Sequence, residues 1–170
     1  MAAASIAVGT VPGPETTIPT IPLRTEQESV DAVSSPEFHS AQLITSPYTT
    51  PEHLLDLSTL NTANRLLAQA LTILSPIRPG YATAPYIQSF NWAQVFTRLH
   101  ELARQENHLW SKQSFYVVAF RSVLKPTADP ERLHLLDERS HAEAVQSGGL
   151  LKYWFGVKNE RRENLATCMF

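Results

Sequence analysis

Apolar and polar positions sort most clearly in the last third of the chain, where each block has a marked end. Residues 114–124 read as a strand. Alternation puts Phe115, Val117, Ala119, Arg121 and Val123 on one face and Tyr116, Val118, Phe120, Ser122 and Leu124 on the other. Both faces are largely apolar, which is unusual for a strand with one wet side. Residues 150–157 behave alike, with Leu151, Tyr153, Phe155 and Val157 opposite Leu150, Lys152, Trp154 and Gly156. A third apolar strand follows at 164–170. Between the first two strands, residues 129–146 read as a helix. Asp129 is placed to cap it, Pro130 occupies the first helical position, and Gly148-Gly149 supplies a left-handed exit. Leu133, Leu136, Ser140 and Ala144 would face the sheet, with His134, Glu138, His141 and Val145 forming a second row.

Strand–helix–strand–strand is the first part of a ferredoxin-like βαββαβ unit. The expected fold class is therefore α+β: an incomplete ferredoxin-like (βαββ) antiparallel sheet with preceding helices and a disordered N-terminal tail. One sheet face can take the helix at 129–146. The other needs the preceding helices, a second subunit or a ligand cavity. The unpaired sheet edge predicts marginal stability and self-association.

Two helices precede the sheet. Residues 58–74 carry Leu60, Ala63, Leu67, Ala70, Leu71 and Leu74 as an amphipathic stripe that stops before Pro76. Residues 91–105 place Trp92, Val95, Phe96, Leu99, Leu102 and Ala103 on one face, with Asn91 and Gln94 in a capping-box pattern. Upstream, residues 1–51 hold seven of the twelve prolines and only two aromatics, Phe38 and Tyr48. Such a segment buries too little apolar surface to offset its ordering entropy. The expected organisation is a Pro/Ser/Thr-rich tail at 1–52, a helix and Pro-rich connector at 53–88, and a helix plus the βαββ unit at 89–170.

Charge and cysteine usage narrow the function classes. A formal net charge of −2 gives no electrostatic reason to expect nucleic acid or an anionic membrane as partner. No apolar run approaches the roughly 20 residues of a membrane span, and residues 1–11 lack the basic start of a secretory signal. A cytoplasmic location is the default expectation. Cys168 is the only cysteine, so no intrachain disulfide can form, and its apolar strand suits an inert thiol. No glycine-rich phosphate loop, paired cysteines or nucleophile elbow is present, so neither a cofactor nor a metal is expected. His134 and His141 stand seven residues apart, about 10 Å along a helix and too far to share one metal directly.

The segments SFYVVAFRS (114–122), SHAEA (140–144), SGGLLKYWFG (147–156) and NLATC (164–168) resemble an uncharacterised fungal protein family. The resemblance is close over about the last sixty residues. It implies a unit similar to dimeric α/β-barrel proteins, a superfamily of small monooxygenases, cyclases and decarboxylases acting on aromatic or polyketide substrates. In the resembled family the chain continues past the NLATC strand with a tryptophan, a basic helix and a final strand, so this chain reads as C-terminally shortened.

The expected function is the handling of a hydrophobic, aromatic or polyketide-like metabolite of secondary metabolism, by a cofactor-independent monooxygenase, cyclase or isomerase. The alternatives are a non-catalytic ligand-binding or interaction module, or a shortened inactive gene product. For the enzyme, His141, Arg121 and Tyr153 are the catalytic candidates: His141 as acid–base, Arg121 holding an anionic oxygen. Tyr116, Lys152 and Trp154 are the substrate-binding candidates. Core packing is the competing reading for the aromatics, and a solvated rim for the histidine row. Arg121, in an apolar strand face, should find an anionic partner such as Glu138, Glu143 or a ligand. The expected partners are a small hydrophobic ligand and a second copy through the sheet face.

Overall fold

The computed structural model describes the backbone of residues 2–8 and all of residues 41–170. The architecture is α+β. In chain order the elements are β1 (Ala2–Val8), β2 (Gln42–Leu43), β3 (Leu55–Asp56), α1 (Thr62–Ala70), α2 (Trp92–Gln105), β4 (Gln113–Val123), α3 (Pro130–Ser147), β5 (Lys152–Phe155) and β6 (Glu163–Met169). The main sheet has the order β1-β4-β6-β5, with every neighbouring pair antiparallel. β2 and β3 form a separate two-residue ribbon. Thus α3 joins β4 to β5, and β6 lies between them.

Sequence alternation along the strands decides which face meets which layer. Phe115, Val117, Leu165 and Met169 are buried and join Leu66, Leu71, Val95 and Leu99 of the helical layer in one core. The stripes of α1 and α2 therefore cover one sheet face without a second subunit. Trp154 belongs to this side. Its ring meets Phe90 edge-on at 5.0 Å and Tyr81 at 5.3 Å. Tyr81 in turn lies over Gly156, where a Cβ would clash with the phenol ring, and its hydroxyl donates to the Val157 carbonyl at 2.8 Å. Arg65 pairs in fork geometry with Glu106, at 2.7 and 2.6 Å, tying α1 to the end of α2.

The caps of α3 are those the sequence predicts. Asp129 accepts from the amides of Glu131 and Arg132 at 3.0 and 3.2 Å, and Gly148 leaves the helix at φ 81°. Other ends differ from expectation. α1 starts at Thr62, because Asn61 accepts from the Asn64 amide, while Asp56 caps a separate 3-10 turn over Leu57–Thr59. Asn91 does not cap α2 with its side chain. Its Oδ1 accepts from the Ser75 amide at 2.8 Å, and its Nδ2 donates to the Ile73 carbonyl and Gln94 Oε1. The same residue that suggested a cap instead fastens the Pro-rich connector to the start of α2.

Two expectations about the N-terminal segment change. Thr45, Ser46 and Tyr48 are buried, although the proline content placed them in the tail. The edge of β4 expected to stay open is paired by β1, from Ala2 opposite Ala119 to Val8 opposite Gln113. The expectation for residues 9–40 lies outside the described residues. No helix among the described residues is long and apolar enough to cross a membrane.

Candidate functional site

The second sheet face meets α3 less closely. Phe120, Tyr153, Phe155, Ala166 and Cys168 point toward the helix by strand alternation, and α3 answers with Leu133, Asp137, Ser140, His141 and Ala144 at helical spacing. Between them lie two adjoining cavities of about 410 and 300 Å³, which share Phe120, Asp137, Tyr153 and Ala166. The larger opens toward the start of α3, with Leu133 and His134 in its wall and the exposed Lys158 at its rim. His141 and Cys168 line the smaller.

The segment 44–53 packs against α3 and β5. Thr45 accepts from the Tyr153 amide at 3.0 Å, which holds the segment against β5. Tyr48 donates its hydroxyl to Asp137 Oδ2 at 2.6 Å, and Tyr153 donates to Asp137 Oδ1. A single carboxylate thus collects two phenols from different parts of the chain. Both phenols are pushed well above the usual tyrosine range, first by burial and then by the hydrogen bond to Asp137. They are fixed donors rather than bases.

His53, from the 3-10 turn Pro51–His53, stacks on Tyr48 with ring centroids 4.8 Å apart. Its Nδ1 lies 2.8 Å from Nδ1 of His141, and its Nε2 lies 3.9 Å from Glu138 Oε1. Both imidazoles are buried, at 1% and 4% exposure, whereas the Glu138 side chain is 40% exposed. Burial, then the neighbouring His53, lowers the His141 pKa to about 4, so its ring is neutral near pH 7. His141 Nε2 is enclosed with no hydrogen-bond partner among the described residues. Burial, then the Asp137 charge, raises the Cys168 thiol to about 11, which keeps it protonated and unreactive.

Of the residues singled out from sequence, His141 and Tyr153 come together here. Arg121, Lys152 and Trp154 lie on the opposite sheet face, as the period of two dictates. Arg121 finds carbonyls rather than a carboxylate: its guanidinium donates to Ala82 and, at 2.6 Å, to Ala84. Lys152 is buried on the helical-layer side, and burial lowers its pKa. Tyr116 is exposed outside both cavity walls, beside Phe170. Among the described residues no group of three or more His, Cys, Asp or Glu could hold a metal ion.

Three residues of the cluster escaped sequence reasoning. Asp137 interrupts the apolar stripe of α3, four residues from Leu133 and three from Ser140, and that interruption was the available signal. Tyr48 is one of only two aromatics in residues 1–51, a weaker hint. Nothing in the local sequence of His53 tells that it meets His141, 88 positions away.

The site lies within the range recognised by comparison. A family model described as PB2B2.08-like matches residues 44–170. The chain is also similar to the UPF0643 protein PB2B2.08 of Schizosaccharomyces pombe (strain 972 / ATCC 24843), 42% identical over 132 residues, which is 72% of this chain and 59% of that protein. The chain therefore spans less than two thirds of that relative's length. No solved structure matches. With Tyr48, His53, Asp137 and His141 all inside the matched range, the chain belongs to the PB2B2.08-like family.

Proposed function

We propose that the chain takes a small, hydrophobic, aromatic-type molecule between α3 and the sheet and moves a proton on it without a cofactor, as a cyclase or isomerase does. The observation that carries this reading is the joined apolar cavity with a neutral buried imidazole in its wall. Concave apolar sites with a few convergent polar groups are the usual form of small-molecule sites. A neutral imidazole carries one donor and one acceptor nitrogen, the two functions that moving a proton requires. Strand order adds support for a ferredoxin-like unit: β6 between β4 and β5, with α3 crossing over, is the arrangement of its first three strands. In this reading β1 stands where the fourth strand of such a unit would pair. A second reading, a binding protein without catalysis, is favoured by Asp137, whose two oxygens are both occupied by tyrosine hydroxyls.

Binding is tested with a fused-ring phenol, 1-naphthol, and a fluorescent anilinonaphthalene probe. Saturable binding of the probe, displaced by 1-naphthol, is expected. Ala166→Phe fills the wall common to both cavities and should weaken binding at least tenfold while the protein still melts cooperatively. Ala144→Phe, across the smaller cavity on α3, is the check should Ala166→Phe fail to fold. Probe binding untouched by both substitutions overturns the proposal.

A further inference from the structure

Opposite charges stand at different depths of the joined cavity, and this gives it a direction. Lys158 is the only Lys or Arg that lines either chamber, and Asp137 the only Asp or Glu. At the mouth of the larger chamber Ser122 of β4 stands opposite Asn164 of β6, in the same wall as Lys158. One step inward on that sheet face, about 7 Å along a strand, Phe120 stands opposite Ala166. Both of these, with Asp137 and Tyr153, are shared with the smaller chamber, which continues to Ala144, Leu150 and Cys168. The cation is therefore at the rim, and the carboxylate lies deeper, where the sheet wall turns apolar. Lys158 is also uncommitted: it forms no ion pair among the described residues. The nearest carboxylate in sequence across the β5–β6 turn, Glu163, is taken by Asn159 at 2.7 Å and by Arg161 at 3.1 Å. Asn164 uses Oδ1 to accept from the Leu165 amide at 2.8 Å, which leaves its Nδ2 as a donor. Asp137 is the reverse case, with both oxygens already accepting from tyrosine hydroxyls.

We propose that the ligand of this cavity is a carboxylic acid with a compact apolar body, bound with its carboxylate at the mouth against Lys158 and its body between α3 and the sheet. The inference rests on the cavity being the ligand site and names the class of molecule it takes. Asn164 and Ser122 supply neutral donors beside the ammonium. The charge of Asp137 disfavours an anion at depth, so the acid enters body first and stops with its head at the rim. One ammonium suits a monoanion better than a phosphate. The start of α3 adds nothing for a second charge, because Asp129 already accepts from the amides of Glu131 and Arg132 and brings a carboxylate there. The strand cations that the sequence offered for an anionic oxygen, Arg121 and Lys152, lie on the other sheet face. Lys158, just beyond β5, takes that task. In this scheme Lys158 selects and orients the ligand and takes no part in chemistry.

The test is displacement of uncharged 1-anilinonaphthalene from the full chain at pH 7 and low salt, by 1-naphthoate and by its neutral counterpart 1-naphthalenemethanol. Naphthoate is expected to bind about fivefold more tightly, the scale of a partly exposed charge pair. Lys158→Met keeps the length of the stem, removes the charge and should abolish the preference. Lys112→Met makes the same change of net charge at an exposed residue outside both chambers, and should retain it. A second measurement needs no variant: at an ionic strength of about 1 M, where charges are screened beyond about 3 Å, the preference should disappear from the wild type. Equal displacement by acid and alcohol, a preference that survives in Lys158→Met or high salt, or one lost in Lys112→Met overturns the acid. If the uncharged probe binds and both compounds displace it equally, the cavity stands as an aromatic site without an anion. If the probe does not bind at all, the cavity reading falls and takes the acid with it.

Discussion

Lys152 and Arg121 sit on the same sheet face and are accommodated in opposite ways. Arg121, near the end of β4, reaches carbonyls of the connector, so its charge is hydrogen-bonded and close to water. Lys152 opens β5 opposite Met169, is 8% exposed, and forms no ion pair among the described residues. Burial disfavours its charged form, so its pKa falls from 10.5. Because the folded value lies below the unfolded one, the unfolded chain holds the proton more tightly, and the charge costs stability at neutral pH. Lys152→Met keeps the volume and removes the charge. It is expected to stabilise the fold by about 1 kcal/mol, raising the melting temperature by a few degrees at pH 7. The gain should shrink as the pH rises past 10.5, above which the lysine is neutral in both states. A melting temperature lowered by the substitution at pH 7 would mean that the ammonium makes a favourable interaction.

At the scale of elements, β1 is the part that the pattern of the chain least announced. Its seven residues pair with β4 from Gln113 to Ala119, while β6 takes the other side of β4 from Val117 onward. Each strand edge left unpaired is a template for association with another chain. Removing residues 1–8 would free the outer edge of β4 over that stretch. A drop of several degrees in melting temperature is expected, with concentration-dependent association seen by sedimentation. A shortened chain that melts like the full one and stays monomeric would show that β1 contributes nothing to the sheet.

Across the whole molecule the two sheet faces are built differently. One packs against α1 and α2 around residues such as Leu66, Leu99 and Leu165, all fully buried. The other meets α3 across a cavity, with Tyr153 bonded to Asp137, while the segment 44–53 is latched to α3 by Tyr48 on Asp137 and by the His53–His141 bond. Such a latch is sensitive to acid. The His141 pKa is lowered from 6.5 to about 4 in the fold, so the unfolded chain takes up the proton first. The stability from keeping this ring neutral is complete above about pH 6.5 and is lost as the pH falls toward 4, amounting to roughly 3 kcal/mol at most. Thermal melts of the wild type should therefore fall through this window, and those of His141→Gln should fall less. Hydrogen exchange should show α3 and residues 44–53 losing protection before α1 and α2 do. Equal acid sensitivity in the wild type and His141→Gln would place the titrating group elsewhere.

Local rules settled what depends on near neighbours. The cap at Asp129, the positive φ at Gly148, the apolar stripes of α1 and α2 and the alternation along β4 and β5 were all legible, because each is fixed within a few residues. The same alternation already separates Tyr153 from Lys152 and Trp154, and so divides the sequence-derived site between two faces. Tertiary structure decided what joins distant positions. Composition marked residues 41–52 as tail, yet Tyr48 and His53, besides stacking on each other, bond to Asp137 and His141 of α3. Their hydrogen-bond partners lie 88 and 89 positions away, so no local pattern records their role. The pairing of β1 with β4 has the same character, since a strand edge specifies that a partner is needed and not which segment supplies it. The cavity belongs to the same class: its walls come from α3, β4, β5 and β6, which only the fold brings together.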